Sequence, residues 1–389
     1  MDGGVLEARV SRLQGGLREV GVDVALILSP VNTYYLAGTA QRGVLLVPSS
    51  GEPTFYAIRD YARASTETPF KCVEARGLAP IVDALSSMGA RVVGVEEDFI
   101  PVRLYRRLVG DRGSMDVSGL IMRMRMVKDQ LEQGLIRRAV EQCEVALREA
   151  EEAIREGARE VEVATRLEAA LREAGHDGYL DMRGPGDRMP NVVVLSSGSV
   201  VPSRLSSVSA GPGLSPACPV GSSSRRIRRG DVVWVDVSGR FMGYTADVTR
   251  TFTVGRAFTV GRARPEVLEA HRAVREIYRE AVAMVRQGAT CRSIYREALR
   301  LAEELGYAGS FMGLGRSKAP FIGHGLGLEI DEPPALGDVD EGLAEGMVLA
   351  VEPKLVLPGY EGVGLESTVI VGREGCEVLD RYTLDLVEV

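Results

Sequence analysis

The chain has 389 residues, of which 45% are apolar and 26% charged, and its formal net charge is −7. This length suggests two domains, and the acidic balance argues against a nucleic-acid-binding protein, because such proteins normally carry a basic excess. The sequence has no apolar run of membrane-spanning length, residues 1–9 lack the apolar core of a signal peptide, and the five cysteines form no CxxC pair, so we expect a cytoplasmic protein with free thiols and no membrane partner.

The first 120 or so residues alternate helical and strand patterns. Residues 10–20 repeat apolar positions at helical spacing and stop at Gly21, whereas the short apolar runs 24–28, 43–48 and 91–95 are typical of buried strands. This alternation predicts a small α/β domain. We place the two domains at residues 1–125 and 126–389.

In the second domain the sequence predicts two helices followed by strands, and then the same order again. The predicted helices are 131–156, 160–174, 265–285 and 291–305, and the predicted strands are 191–195, 231–237, 245–254, 347–357 and 365–371. Residues 182–224 are rich in Gly, Pro and Ser. This stretch is either part of a substrate cleft or a solvated connection, and both interpretations remain open.

Two acidic residues lie inside strand-like runs that a turn-like segment separates. Asp236 ends one run and Asp247 lies in the next, so a hairpin centred on Phe241 and Met242 would place the two carboxylates directly opposite each other. Opposed residues have Cβ atoms about 5 Å apart. Two like charges at this distance destabilise the fold unless a cation neutralises them.

The same symmetry about a turn recurs near the C-terminus, where Glu352 and Glu366 are equally distant from Gly359 in a turn-like segment. A single acidic pair is often a solvated strand end, but two pairs flanked by apolar residues are harder to explain in that way. Buried carboxylates need a cation or must be protonated, and their hard oxygen atoms suit Mn, Mg, Zn or Co. The four acids therefore indicate a metal site.

His324 is the candidate nitrogen ligand. It lies in the glycine-rich segment 323–330 (GHGLGLEI), where glycines permit close backbone approach. The chain has two other histidines, His176 and His271, which we interpret as surface residues.

At these residues the chain resembles the pita-bread metallopeptidase family, which contains Xaa-Pro aminopeptidases, prolidases and methionine aminopeptidases. The resemblance covers nearly the whole chain and rests on residues 32–38 (NTYYLAG), 124–129 (MRMVKD), 243–251 (GYTADVTRT) and 323–329 (GHGLGLE). It implies an α+β protein in which a small N-terminal α/β domain precedes a creatinase/aminopeptidase-like catalytic domain with a pseudo-two-fold repeat.

The resemblance also implies the roles of the site residues. Asp236 would bind one metal, Asp247 and Glu366 would bridge two metals, and His324 and Glu352 would bind the second. Two divalent ions, Mn, Co or Zn, would hold the hydroxide that attacks the peptide bond, and Glu352 would relay the proton to the leaving nitrogen. The implied protein is an Xaa-Pro dipeptidase or aminopeptidase, a homodimer that acts on small peptides.

The match departs from the family pattern where auxiliary histidines normally stand. Asp331 and Val220 occupy those two positions, and Gly364 stands where an arginine often precedes the last glutamate. Asp331, Val220 and Tyr244 are our candidate substrate-site residues. Two alternatives stay open: a hydrolase or lyase of the same fold that acts on a small amide or related molecule, and a degenerate peptidase that binds ligands without turnover.

Overall fold

The computed structural model of the protein describes residues 3–184, 187–205, 207–208, 210–255 and 264–389. It divides into two compact units, Met1–Arg125 and Met126–Val389. In the described ranges no helix is long and apolar enough to cross a membrane. The cysteines are free thiols; Cys143 and Cys291 are buried, whereas Cys218 is exposed.

The first unit is a mixed sheet with helices. Its helices are α1 (Gly3–Glu19), α2 (Pro30–Ala37), α3 (Tyr61–Glu67), α4 (Ala79–Ser87), α5 (Val102–Val109) and α6 (Ser118–Met126). Its strands are β1 (Val24–Ile27), β2 (Gly43–Pro48), β3 (Thr54–Ala57), β4 (Lys71–Glu74), β5 (Val92–Val95) and β6 (Gly113–Asp116). They lie in the order β4-β3-β2-β1-β5-β6, with the apolar strands β1 and β2 in the middle.

A buried carboxylate fixes the start of α2 in this unit. Glu96 is fully buried and accepts hydrogen bonds from the backbone amides of Leu28 (2.7 Å) and Ser29 (2.9 Å) and from the side chain of Asn32 (2.5 Å). Gly38 ends the helix with a positive φ of 76°, a conformation that favours glycine. Asn32, the first residue of the NTYYLAG segment, therefore has a structural role inside this unit.

The second unit contains two helix pairs, each followed by strands. Its helices are α7 (Gln130–Ala153), α8 (Glu160–Glu173), α9 (Pro265–Met284) and α10 (Cys291–Glu304), with a 3-10 turn at Gly315–Ser317. Its strands are β7 (Val192–Ser196), β8 (Val232–Phe241), β9 (Tyr244–Thr253), β10 (Gly323–Gly325), β11 (Val348–Val351), β12 (Lys354–Leu357), β13 (Glu361–Gly364), β14 (Ser367–Val371), β15 (Cys376–Val378) and β16 (Val387–Glu388). The predicted order of helices and strands is confirmed, although the predicted strand 347–357 is split into β11 and β12 and the predicted strand 365–371, here β14, is preceded by the additional strand β13.

The strands of this unit form three sheets, and the two faces of the sheet that contains β8 pack against different helix pairs. The sheet orders are β16-β9-β8-β7, β10-β11-β14-β15 and the pair β12-β13. Because successive strand residues point to opposite faces, Val233 and Val235 pack with α7 and α8, whereas Trp234 packs on the other side with α9 and α10. Asp236 has the same parity as Trp234, so it lies on the face away from α7 and α8.

The turn of the first hairpin lies one residue later than the sequence suggested. Phe241 pairs with Tyr244, and the two turn residues are Met242 (φ 49°) and Gly243 (φ 86°). Positive φ at both positions is the geometry of a type I′ turn, which matches the twist of the flanking strands. The predicted centre between Phe241 and Met242 was therefore wrong.

This shift changes the partners of the two aspartates but not their face. Asp236 lies opposite Thr249, and Asp247 lies opposite Ser238. The aspartates are diagonal neighbours on one face of the sheet, not a directly opposed pair. Diagonal neighbours are close enough for both carboxylates to serve one site.

The second pair of acids has the predicted register. β11 pairs with β14 and β12 pairs with β13 at the same offset, with Lys354 opposite Gly364. Glu352 lies between β11 and β12, and Glu366 lies between β13 and β14. The common offset places these two glutamates opposite each other at the break in the ladder.

Candidate metal centre

Threonine side chains join the two acid-bearing hairpins. The hydroxyl of Thr249 donates to Glu366 Oε2 (2.6 Å), and that of Thr368 donates to the carbonyl of Asp247 (3.0 Å). The backbone amide of Glu366 donates in turn to the carbonyl of Thr249 (3.1 Å). The first hairpin therefore lies along the second, and this contact brings the four acids into one place.

A buried arginine supports this junction. Arg250 is fully buried, and its Nη1 donates to the backbone carbonyls of Glu366 (2.6 Å) and Thr249 (3.0 Å). Its Nη2 pairs with Asp380, and its Nε donates to the carbonyl of Thr383 (2.8 Å). The guanidinium thus fixes the backbone on which Glu366 stands.

Three of the five predicted ligands converge on one point. Asp247, His324 and Glu366 each offer a ligand atom, and these atoms all lie within 4.8 Å of one another. A proton on His324 Nδ1 would be donated to the carbonyl of Gly325 (3.2 Å), which leaves Nε2 as the nitrogen with a free lone pair. Two carboxylates and one imidazole form a suitable ligand set for a divalent ion.

The other two predicted ligands contact a lysine. Lys354 Nζ lies 2.5 Å from Glu352 Oε2 and 3.6 Å from Asp236 Oδ2, and it also reaches Glu366 Oε2 at 3.0 Å. Burial disfavours the ammonium, but these carboxylates outweigh it and hold the pKa of Lys354 well above its ordinary value. Lys354 is therefore a cation built into the centre.

The ammonium does not neutralise the whole centre. Burial, together with the charges of Glu366 and Asp236, raises the pKa of Asp247 well above its ordinary value, although Lys354 lowers it. Glu366 Oε1 is buried and accepts no hydrogen bond from the residues that the structure describes. An acceptor of this kind beside Asp247 and His324 fits a divalent cation, so these three residues are suited to hold one.

The centre opens into a cavity of about 390 Å³. Asp236, Asp247, His324, Glu352 and Lys354 line one part of it. Six residues from the stretch 182–224 line another part of the cavity: Met182, Asp187, Met189, Arg204, Leu205 and Ser207. Of the two interpretations of this segment, the cleft wall is the one that the structure supports.

The three candidate substrate-site residues lie in different environments. Asp331 is exposed and lines the cavity. Tyr244 is buried and its hydroxyl donates to Glu132 (2.8 Å), and Val220 is buried as well. Neither Tyr244 nor Val220 is among the described residues that line the cavity. Their positions do not support a direct role with substrate, because a buried strand-end hydroxyl and a buried valine do not reach the space where substrate would lie.

Lys354 is the residue that sequence reasoning missed. It follows Glu352 by two positions within the predicted strand 347–357, so the period of β-structure predicts that the two side chains share a face. It is also one of only four lysines in a chain that has 47 lysines and arginines together. The period of two could have identified a cation next to the acids.

Both other histidines are buried, which corrects their assignment to the surface. His271 is 4% exposed on α9, in the same stripe as Val267 and Val274 at spacings of four and three. His176 is 3% exposed; its Nδ1 accepts from the amide of Gly178 (2.8 Å), so its Nε2 is the donor to the carbonyl of Ser238 (3.2 Å). Polar neighbours in the sequence concealed the helical period of His271.

Comparison with known proteins gives matches along both units. Residues 134–373 match the metallopeptidase family M24, and residues 9–127 match the creatinase/prolidase N-terminal domain. The Xaa-Pro dipeptidase of Pyrococcus furiosus is 27% identical over 389 residues, which cover 98% of this chain and 100% of that protein.

Two solved structures are similar over their full length. The Xaa-Pro dipeptidase from Bacillus anthracis has a TM-score of 0.84 at 25% identity and covers 99% of this chain and 100% of its own. The X-Pro aminopeptidase from Thermotoga maritima MSB8 has a TM-score of 0.80 at 27% identity, with 98% and 99% covered. These two matches cover nearly the whole of this chain.

Proposed function

This chain belongs to metallopeptidase family M24, and from that premise we propose that it is a metal-dependent hydrolase of short Xaa-Pro peptides, either a dipeptidase or an aminopeptidase. The observation that carries the proposal is the convergence of Asp247, His324 and Glu366, of which Asp247 and His324 line a cavity. The named activities of similar proteins supply the substrate class. The cavity volume of about 390 Å³ suits a short peptide.

In this proposal Asp247, His324 and Glu366 hold a divalent ion. When bound, the ion supplies Lewis acidity, which polarises the scissile carbonyl and lowers the pKa of water. A set of two carboxylates and one imidazole suits Mn, Co or Zn. Glu352 is not one of these three residues, so it remains available for proton transfer.

Glu352 is the proposed catalytic residue. Its Oε1 lies 3.6 Å from His324 Nε2, and its Oε2 is held by Lys354, so the carboxylate is fixed beside the ion-binding residues. It would accept a proton from the attacking water and deliver it to the proline nitrogen as the C–N bond breaks and the new C–O bond forms. Lys354 is a positioning residue for this carboxylate.

Two further expectations belong to this proposal. We expect a homodimer and a cytoplasmic location. Light scattering during gel filtration measures the oligomeric state directly, and a single mass near 41.9 kDa would contradict the dimer.

The decisive experiment is hydrolysis by the purified chain after chelation and re-addition of Mn, Co or Zn. We expect cleavage of Leu-Pro or Leu-Pro-Gly but not of Leu-Gly. Asp247→Asn should lower kcat/KM about a thousandfold, because the loss of an ion ligand removes several kcal/mol of transition-state stabilisation. The matched control is Asp338→Asn, an exposed acid paired with Arg292 on the surface, which should leave the rate unchanged.

Several outcomes would reject parts of the proposal. Full activity in Asp247→Asn would refute the assigned centre. Retained metal without cleavage of any peptide would favour the degenerate binding protein. Cleavage of a small amide in place of peptides would favour the same-fold hydrolase.

A further inference from the structure

A lysine lies where the acids would otherwise need a second metal ion. Lys354 Nζ contacts one oxygen of each of three acids, at 2.5 Å from Glu352, 3.0 Å from Glu366 and 3.6 Å from Asp236. These acids are three of the five ligands expected for a two-metal centre. A single ammonium therefore neutralises part of the site that would otherwise require an ion.

The position of this lysine is fixed by its surroundings. Its side chain is 1% exposed, and its Nζ lies 5.3 Å from the centre of the Trp234 ring, within the range of cation–π attraction. The ammonium is thus held between an aromatic face and three carboxylates. Movement of the ammonium into the cavity that Lys354 lines would give up these contacts.

The opposite strand leaves room for the lysine stem. Gly364 pairs with Lys354 across the hairpin, and a Cβ at Gly364 would lie only 2.9 Å from Lys354 Cγ and 3.4 Å from the Trp234 ring. A side chain at position 364 would therefore displace the lysine. Gly364, which departs from the family pattern, is the residue that accommodates Lys354.

The lysine and a second ion would compete for the same oxygens. Metal–oxygen bonds in such sites are about 2.0–2.2 Å long, so an ion on Glu352 Oε2 and Glu366 Oε2 would lie close to the ammonium that already contacts both atoms. Two cations at that distance repel each other strongly where water is excluded. Glu366 Oε1, in contrast, is buried without a described hydrogen-bond partner, so it remains available to an ion that Asp247 and His324 also bind.

We propose that the Lys354 ammonium takes the place of one of the two expected ions, so that the centre binds a single divalent ion between Asp247, His324 and Glu366. This inference rests on the proposed function for the presence of a metal centre, but its measurement does not use activity. It assigns Asp236 and Glu352 to the lysine and leaves one ion as the variable component.

The first experiment measures ions bound per chain. Wild-type protein and variants are dialysed to equilibrium against Mn²⁺ and analysed by mass spectrometry for manganese. The wild type should bind one ion, Lys354→Arg should also bind one because the charge remains, and Lys354→Met should bind two because the ammonium is gone. Lys318→Met is the matched control, since Lys318 is exposed outside the centre, and it should bind one ion.

Each result decides for or against the inference. Two ions or none in the wild type would overturn it, and so would one ion in a folded Lys354→Met variant. Loss of peptide hydrolysis together with one bound ion would reject the proposed function alone. Peptide hydrolysis together with two bound ions in the wild type would reject this inference alone.

A second measurement needs only the wild type, in case Lys354→Met does not fold. Crystals grown with Mn²⁺ should show one anomalous peak, next to Asp247, His324 and Glu366, with Lys354 Nζ still in contact with Glu352. Two peaks, or a lysine displaced from the carboxylates, would overturn the inference.

Discussion

Replacement of Arg250 by methionine should destabilise the second unit strongly. Arg250 and Asp380 are both buried, with side-chain exposures of 0% and 1%. The guanidinium also donates to four backbone carbonyls, those of Thr249, Glu366, Tyr382 and Thr383. Methionine has a similar length but no charge and no donor. The variant therefore leaves a buried carboxylate and several carbonyls without their partner.

The size of the effect follows from this burial. Removal of one partner of a buried, hydrogen-bonded ion pair typically costs about 3–5 kcal/mol. Burial already raises the pKa of Asp380, and Arg250 lowers it, so Asp380 should become protonated in the variant and limit the cost. At roughly 2–4 °C per kcal/mol for a unit of this size, we expect the melting temperature to fall by on the order of 10 °C.

The effect is measured by thermal and urea denaturation of the full chain, in which Arg250→Met is compared with a variant of a surface ion pair. Arg137→Met removes an ion pair with Glu377 whose side chains are 42% and 57% exposed, and it should cost at most about 1 kcal/mol. Addition of Asp380→Asn to Arg250→Met should recover part of the loss, because the unpaired charge disappears. Equal melting temperatures for the two single variants would refute the reasoning.

Two more predictions concern pH and substrate. Burial lowers the pKa of His271 from 6.5 to about 4, so as the pH falls the imidazole takes up a proton in the unfolded chain before it does so in the folded one. The free energy of unfolding should therefore drop by about 2 kcal/mol from pH 7 to pH 5. Urea titrations of His271→Leu should lack this drop. A pH dependence identical to that of the wild type would contradict the assignment. Arg204 lines the cavity, where it is half-exposed and paired with Asp187. Arg204→Met should raise KM for Leu-Pro about tenfold, because the substrate carboxylate loses its contact with the guanidinium, and should raise KM for Leu-Pro-Gly-Gly less. Equal changes for both peptides would exclude that contact.

The two hairpins show why register was predictable in one case and not in the other. The second hairpin turns over residues 358–360, centred on Gly359, and the symmetric spacing of Glu352 and Glu366 about that residue gave the correct register. In the first, several residues between the strands could form the turn, and Met242 adopts a positive φ that is uncommon for its type. A shift by one residue in the turn moved the partner of Asp236 by two positions, although parity kept both aspartates on one face.

The ligand types were easier to predict than the neighbours of the ligands. Acids inside apolar strands indicate a cation because burial of a bare carboxylate is costly. The identity of that cation depends on side chains from other strands, and the sequence does not give these contacts. Lys354 follows Glu352 by two positions, but its contact with Asp236 depends on how the two hairpins pack together.

The charges of the centre explain how one ion and one lysine could serve it. Asp236, Asp247, Glu352 and Glu366 carry four negative charges when ionised, and Lys354 reduces the total to three. One divalent ion then leaves a single negative charge in a cavity that Asp331 also lines, while Asp187 in the same lining is paired with Arg204. A cavity with this balance attracts the positively charged amino terminus of a short peptide. The fixed ammonium therefore does more than replace an ion, because it sets the charge that a substrate meets at the centre.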